Sequence, residues 1–307
     1  MSIETVRSHC LQWRYLILRR LSQMTVLALF MTSTLIIGWT GGVEPLKGNL
    51  SSSQILGVVP MSDPLAVLQS LMAGHPVLWK GLLGAAIVVL LYGLLGGRSF
   101  CSWVCPVNMI TDLAAWLRRK LAIRNSHKLP RQARYWILGM VLVLPLVTGM
   151  MVWELFNPIS QLTRGLIFGM GTGWYLIAGI FLFDLLVSNR GWCGHLCPLG
   201  AFYSLLGRIS PLHINATKRH QCDDCMDCYA VCPEPQILPP ALKAKKGNSP
   251  VLNQSNCTRC GRCIDVCDKQ VFEFRASLYP IHPTRDKNHD AQLITTTRQP
   301  AGHMNND

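Results

Sequence analysis

The sequence predicts an α-helical membrane protein with four transmembrane helices, ending in a small α+β domain organised around cysteine. Three observations predict this. Half of the 307 residues are hydrophobic and gather in long runs over the first two thirds of the chain, the basic residues fall between those runs, and most of the 13 cysteines crowd into the last third. The division falls near Pro211, where the long apolar runs stop and polar residues take over.

A net charge of +13 would suit nucleic acid if the basic residues formed one face. They alternate instead with the hydrophobic runs. Residues 1–20 carry four Lys or Arg and residues 98–134 carry eight, whereas residues 40–76 and 154–173 carry one each, Lys47 and Arg164. That is the positive-inside pattern, which argues against a nucleic-acid partner and puts both termini on the cytoplasmic side. Cysteines facing that reducing compartment are poor candidates for a disulfide framework.

The elements follow in order. Residues 1–20 form a cytoplasmic segment with no signal-cleavage pattern, so the first apolar run is expected to stay as an anchor. A transmembrane domain follows over residues 21–210. Its first span, Leu21 to Trp39, amounts to about 28 Å of helix, close to the hydrocarbon thickness. The second covers Val77 to Gly97, the third Tyr135 to Trp153 with Pro145 inside it, and the fourth Trp174 to Val187, extended by the Gly-rich stretch before it. Between the first two, Asp63-Pro64 reads as an N-cap with a first-turn proline. The helix it starts carries Leu65, Leu68, Leu71 and Met72 on one face and is expected to lie on the outer surface. Residues 211–277 form the cysteine-rich domain, and 278–307 a disordered tail.

The cysteine-rich domain carries the strongest chemical pattern. Cys222, Cys225, Cys228 and Cys232 stand in a C-x2-C-x2-C-x3-C run, which returns at Cys257, Cys260, Cys263 and Cys267. Such spacing wraps three corners of a [4Fe–4S] cube from one loop and takes the fourth thiolate from the other run. One cube then takes Cys222, Cys225, Cys228 and Cys267, and the second takes Cys257, Cys260, Cys263 and Cys232, as in a bacterial-type two-cluster [4Fe–4S] ferredoxin. Zinc also accepts four thiolates, but its motifs pair separated C-x2-C knuckles.

An internal repeat marks the membrane part. Arg98-Ser-Phe-Cys101-x3-Cys105-Pro106 recurs as Arg190-Gly-Trp-Cys193-x3-Cys197-Pro198. On a helix each pair would share a face, able to hold a metal or exchange electrons, against the plainer alternative of packed thiols. His195 lies inside the second copy, and Cys10 is left over. Polar residues within reach of an apolar ligand are Glu44, Asp63, His75, Arg98, Glu154 and Asp184, and no one of them stands out.

Together these residues resemble a known family. Trp13-Arg14, Gly48-Asn49, Ser51-Ser52-Ser53, Asp63-Pro64-Leu65, Phe100-Cys101-Ser102-Trp103-Val104-Cys105-Pro106 and Thr111-Asp112-Leu113 are similar to the NapH-type ferredoxins. The likeness continues through Trp192-Cys193-Gly194-His195-Leu196-Cys197-Pro198, Met226-Asp227-Cys228 and Val231-Cys232-Pro233-Glu234-Pro235. The resemblance implies a quinol dehydrogenase component in a bacterial inner membrane, with two [4Fe–4S] clusters as cofactors and quinol as substrate. It further implies a periplasmic ferredoxin-type subunit and a c-type cytochrome as partners, feeding a periplasmic nitrate reductase. The alternative is an assembly or maturation factor for a respiratory metalloenzyme, as among more distant relatives with the same layout.

Overall fold

The computed structural model describes residues 13–36, 46–48, 52–55, 58–123, 129–169, 171, 173–243, 249–252 and 255–276. Glu44, Cys10 and the tail over 278–307 lie outside the described residues.

The chain opens with α1 (Arg14–Ile36), followed by β1 (Leu46–Gly48), β2 (Ser52–Ile55) and β3 (Val59–Ser62), which form one antiparallel sheet. Next come α2 (Pro64–Met72), α3 (Trp79–Leu95), α4 (Ser99–Trp103), α5 (Val107–Lys120) and α6 (Ala133–Thr148). The first part closes with α7 (Val152–Phe156), α8 (Pro158–Phe168), α9 (Gly173–Leu182) and α10 (Pro198–Leu206). Two π-helical turns, Phe183–Val187 and Trp192–Leu196, lie between α9 and α10. In the cysteine-rich part β4 (Leu212–Asn215) pairs antiparallel with β5 (Glu273–Ala276), and between them lie α11 (Asp227–Val231), α12 (Leu238–Leu242) and α13 (Arg262–Asp265).

The four expected membrane spans do not form among the described residues. Among the described residues no helix is both long enough and apolar enough to cross a membrane. The apolar runs were real, but they counted residues that do not continue the helix. In the second run, α3 stops at 17 residues because Gly96 and Gly97 take left-handed φ values of 114° and 42°. A Cβ on Gly97 would collide with the Tyr203 carbonyl, so close backbone approach of α10 enforces the stop. In the third run α6 ends after 16 residues at Gly149, also left-handed at φ 66°. The fourth run is α9 of 10 residues followed by a π-helical turn. α1 reaches 23 residues, but its first turns carry Arg14, Arg19 and Arg20, with Arg19 and Gln23 fully buried against protein.

The segment before α3 also differs from expectation. Asp63 does cap α2, its carboxylate accepting the Leu65 N–H at 3.0 Å. Yet α2 is packed against α3 and α6 instead of lying on an outer surface: Leu65 and Gln69 are fully buried, and the Gln69 amide donates to the Val141 carbonyl at 2.7 Å. Strands β1 to β3 had no alternating pattern to announce them.

Two apolar cores result. One gathers Leu65, Phe100, Val107, Trp153, Leu199 and Tyr203, and the other Ile214, Ile237, Leu238, Leu252, Val271 and Phe272. The start of α1 ties them together, since the Tyr15 and Leu16 N–H groups donate to the Asp265 carboxylate at 3.2 and 3.0 Å and the Tyr15 ring lies 5.3 Å from that of Phe274.

Candidate metal centres and their arginine cage

Each cysteine run is shaped by left-handed residues at matching offsets. After Cys222 these are Asp224 and Met226, and after Cys257 they are Arg259 and Gly261. Positive φ at the second and fourth positions coils the loop tightly, so that successive thiols turn toward a common space. Gly261 has a second reason to lack a side chain, because a Cβ there would press into the Tyr15 ring. A short helix then carries the third thiol of each run: Cys228 on α11 and Cys263 on α13.

The fourth cysteines change places. Cys222, Cys225, Cys228 and Cys267 line one small cavity, closed by Tyr229, Val266, Val271 and Phe272. Cys232 lies with the other run: its electrostatic neighbours are Cys260 and Cys257, and those of Cys263 include Cys260, Cys257 and Cys232. All twelve described cysteines are free thiols. Among the described residues no three His, Cys, Asp or Glu groups converge on a single ion. Four thiols around a shared space suit the corners of a cube.

The two sets differ in surroundings. In the first set Cys225 is exposed, Cys222 and Cys267 are half-buried and Cys228 is buried, whereas in the second Cys257, Cys260 and Cys263 are all buried and Cys232 is half-buried. Burial pushes the Cys228 and Cys257 thiols up to about 11. Cys260 goes the other way: burial would raise it, but the nearby Arg262 and Arg19 guanidiniums outweigh that and favour the thiolate. Sulfur also accepts from the backbone, with the Arg259 N–H 3.4 Å from Cys257 and the Val271 N–H 3.5 Å from Cys267.

Two buried carboxylates hold seven arginines around this region. Asp112 on α5 is met by Arg262 at 2.6 Å, Arg20 at 2.8 Å, Arg190 at 3.1 Å and Arg19 at 3.4 Å. Burial works against its ionisation, yet these guanidiniums hold it down to about 2. Glu234 is met by Arg98 at 2.8 Å, Arg131 at 3.2 Å and Arg134 at 3.3 Å, and is likewise held below its ordinary range despite burial. The repeat therefore has an electrostatic role, since its first arginine, Arg98, grips Glu234 and its second, Arg190, grips Asp112. Both acids stand in segments that resemble the family, Thr111-Asp112-Leu113 and Pro233-Glu234-Pro235, but the sequence assigned neither a role. A further clue was that an isolated carboxylate within a basic, apolar stretch needs a partner.

The four repeat cysteines converge, though not as pairs on regular helices. Cys101 sits on α4, Cys105 just beyond its end, Cys193 in a π-helical turn, and Cys197 at the N-cap of α10, where its sulfur accepts the Gly200 N–H at 3.4 Å. The electrostatic neighbours of Cys193 include Cys197, Cys105 and Cys101, and those of Cys105 are Cys101 and Cys197. Burial pushes Cys197 up to about 12. His195 does not join them and instead faces Glu234, Arg131 and Arg134.

The convergent thiols abut the second cysteine run. A narrow cavity between them is lined by Cys101, Cys193 and Cys260 together with Arg98, Arg190 and Arg262. The Ser102 hydroxyl donates to the Thr258 carbonyl at 2.7 Å, the Trp103 indole to Arg259 at 3.1 Å, and Arg98 to the Asn256 carbonyl at 2.8 Å. Arg259 returns the contact, donating to the Gly96 carbonyl at 2.6 Å.

The remaining polar candidates scatter. His75 is exposed beside the Gly149 carbonyl, Glu154 is bonded by Asn157, and buried Asp184 accepts the Trp192 N–H. Asp63 alone borders an apolar cavity.

Comparison with known proteins follows the same layout. A family model described as a 4Fe-4S binding domain matches residues 77–124 and 170–216, which hold the two repeats, and one described as a 4Fe-4S dicluster domain matches 221–271. The ferredoxin-type protein NapH of Haemophilus influenzae is 50% identical over 85% of this chain and 89% of its own length. The methylamine utilization ferredoxin-type protein MauN of Methylorubrum extorquens is 48% identical over 83% of this chain and 87% of its own. NapH of Escherichia coli is 48% identical over 87% and 89%. No solved structure matches.

Proposed function

The chain belongs to the family of NapH- and MauN-type ferredoxin-type proteins and is an iron–sulfur electron-transfer protein, and from that premise we propose that it oxidises quinol and passes the electrons on with a partner iron–sulfur subunit. The observation that carries the reading is the seating of Cys101 and Cys193 against Cys260, which brings thiols from the two halves of the chain to one cavity. The cysteine sets fit two [4Fe–4S] clusters, which when bound take up and release single electrons.

The protein's own groups do the rest. The less buried set, Cys222, Cys225, Cys228 and Cys267, with Cys225 at the surface, faces a partner, while the more buried set with Cys232 faces the repeat cysteines. Around the buried set Arg19, Arg190 and Arg262 supply positive charge that favours added negative charge. Apolar side chains stay exposed along α3 and α6, among them Trp79, Leu90, Trp136, Met140 and Val147, and support contact with an apolar surface. We propose that this surface is a bacterial inner membrane, with the cysteine-rich part on its cytoplasmic side. The destination we propose is periplasmic nitrate reduction through a periplasmic ferredoxin-type subunit and a c-type cytochrome.

A second reading rests on the MauN relatives, whose names tie them to methylamine utilization at nearly the same identity. On that reading the electrons serve the maturation of a partner enzyme. Anaerobic addition of quinol to the purified protein decides. Reduced-cluster EPR signals on quinol addition support the first reading. Clusters that ignore quinol but accept from a cytoplasmic donor favour the second.

A further inference from the structure

Beside the repeat cysteines lies an apolar cavity of about 220 Å³ whose floor is aromatic and whose one carboxylate is Asp63. Phe100 and Tyr203 stack with ring centroids 5.0 Å apart and 28° between planes, and Tyr92 meets both edge-on at 5.4 Å. The walls are aliphatic, with Val26 of α1 on one side and Leu199 of α10 on another. A cavity of roughly 150 Å³ accepts a benzene ring, so this one, at about 220 Å³, takes a single substituted ring. Aromatic rings prefer offset-stacked and edge-on partners, and the floor offers both.

The polar end is as selective as the floor. One Asp63 oxygen accepts the Leu65 N–H at 3.0 Å, which among the described residues is the one hydrogen bond its carboxylate makes, and the side chain borders the cavity. A planar ring with a hydroxyl to donate satisfies both ends at once. We propose that this cavity binds the ring of a hydroquinone, with the Asp63 carboxylate accepting the hydrogen bond of one ring hydroxyl.

This deepens the quinol reading given above and rests on it. Phe100 of the floor precedes Cys101 in the chain, and Cys105, Cys101 and Cys197 pack in the same core as Phe100 and Tyr203, so a ring on that floor lies next to the repeat cysteines. Burial, with a smaller push from Glu154, raises Asp63 to about 7 against the pull of the Leu65 N–H, so the carboxyl can both accept and release a proton near neutrality. The wider groove of about 820 Å³ near Asp112 is less suited, because its central carboxylate is already taken by four guanidiniums.

Equilibrium dialysis of the purified full chain tests the site, with duroquinol offered to the reduced protein and duroquinone to the oxidised protein as single-ring probes, so that neither probe is consumed. Wild type binds one duroquinol per chain. Asp63→Asn keeps the cap on α2, since Asn caps as well as Asp. It weakens duroquinol by about tenfold, as loss of a hydrogen bond to a charged group does, and leaves duroquinone unweakened because that probe has no hydroxyl to donate. Val26→Trp fills the cavity and weakens both probes by about tenfold or more. Unchanged iron content and visible spectrum show that the variants are folded. The proposal is overturned if Val26→Trp binds both probes like wild type, or if Asp63→Asn treats the two probes alike. Quinol-dependent cluster reduction that survives in Val26→Trp would place the quinol site elsewhere and leave the function standing. The predicted binding pattern without any cluster reduction would keep the cavity and remove the function.

Discussion

At Asp112 a single carboxylate answers four guanidiniums, and the balance of charge there is the most exposed part of the account. Removing one partner of a buried ion pair costs about 3–5 kcal/mol, because the other partner stays buried and uncompensated. Asp112→Asn is therefore expected to lower stability by about that amount in urea unfolding followed by circular dichroism. The surplus positive charge should also be visible in redox behaviour. Arg19 is buried and faces Cys260, so Arg19→Met is expected to lower the reduction potential of the buried cluster by tens of millivolts, where about 59 mV is tenfold for one electron. The potential of the exposed cluster should stay put, and an EPR redox titration separates the two. Legibility at this scale was uneven. The eight ferredoxin-type cysteines could be read directly, because ligand spacing is a local property of the chain. Asp112 and Glu234 stood out only as parts of family-like segments, and their partners could not be read, because arginines from distant segments leave no mark beside the acid they meet.

Single backbone positions decide where the elements end. The apolar runs of α3 and α6 looked long enough to span, but hydropathy counts side chains and ignores the φ values of Gly97 and Gly149. Gly97→Ala should be poorly tolerated, since the residue is left-handed and a Cβ meets the backbone of Tyr203 and Gly207. A loss of about 2 kcal/mol or more is expected, in line with strain at a special φ combined with overpacking. Gly139→Ala offers the control: it lies within α6 with nothing near its absent Cβ, and should stabilise by about 0.5–1 kcal/mol through helix propensity. Parallel thermal unfolding of the two variants shows whether the breaks are built by glycine. The helix after Asp63-Pro64 was legible because capping is written in adjacent residues. Its burial against α6 was not, since that depends on Gln69 reaching Val141 across 72 positions.

Across the whole molecule the proposed electron path runs from the aromatic cavity, past Cys101, Cys105, Cys193 and Cys197, to the more buried cysteine set and then to the set that includes exposed Cys225. The exchange of fourth cysteines gives it a sharp test: Cys267→Ser should damage the same centre as Cys222→Ser, and Cys232→Ser the same centre as Cys260→Ser, by EPR of the reduced protein. The repeat was readable as a repeat, and its thiols as a shared feature, but their meeting required folding of both copies around the second run. Rapid-freeze EPR after mixing with quinol, in wild type and in Cys193→Ser, tests the direction most directly. Quinol is expected to reduce the wild-type clusters, and the variant to be slowed by about tenfold or more while dithionite still reduces it fully. Equal rates in the two proteins, or clusters that dithionite reduces and quinol never does, would contradict this path.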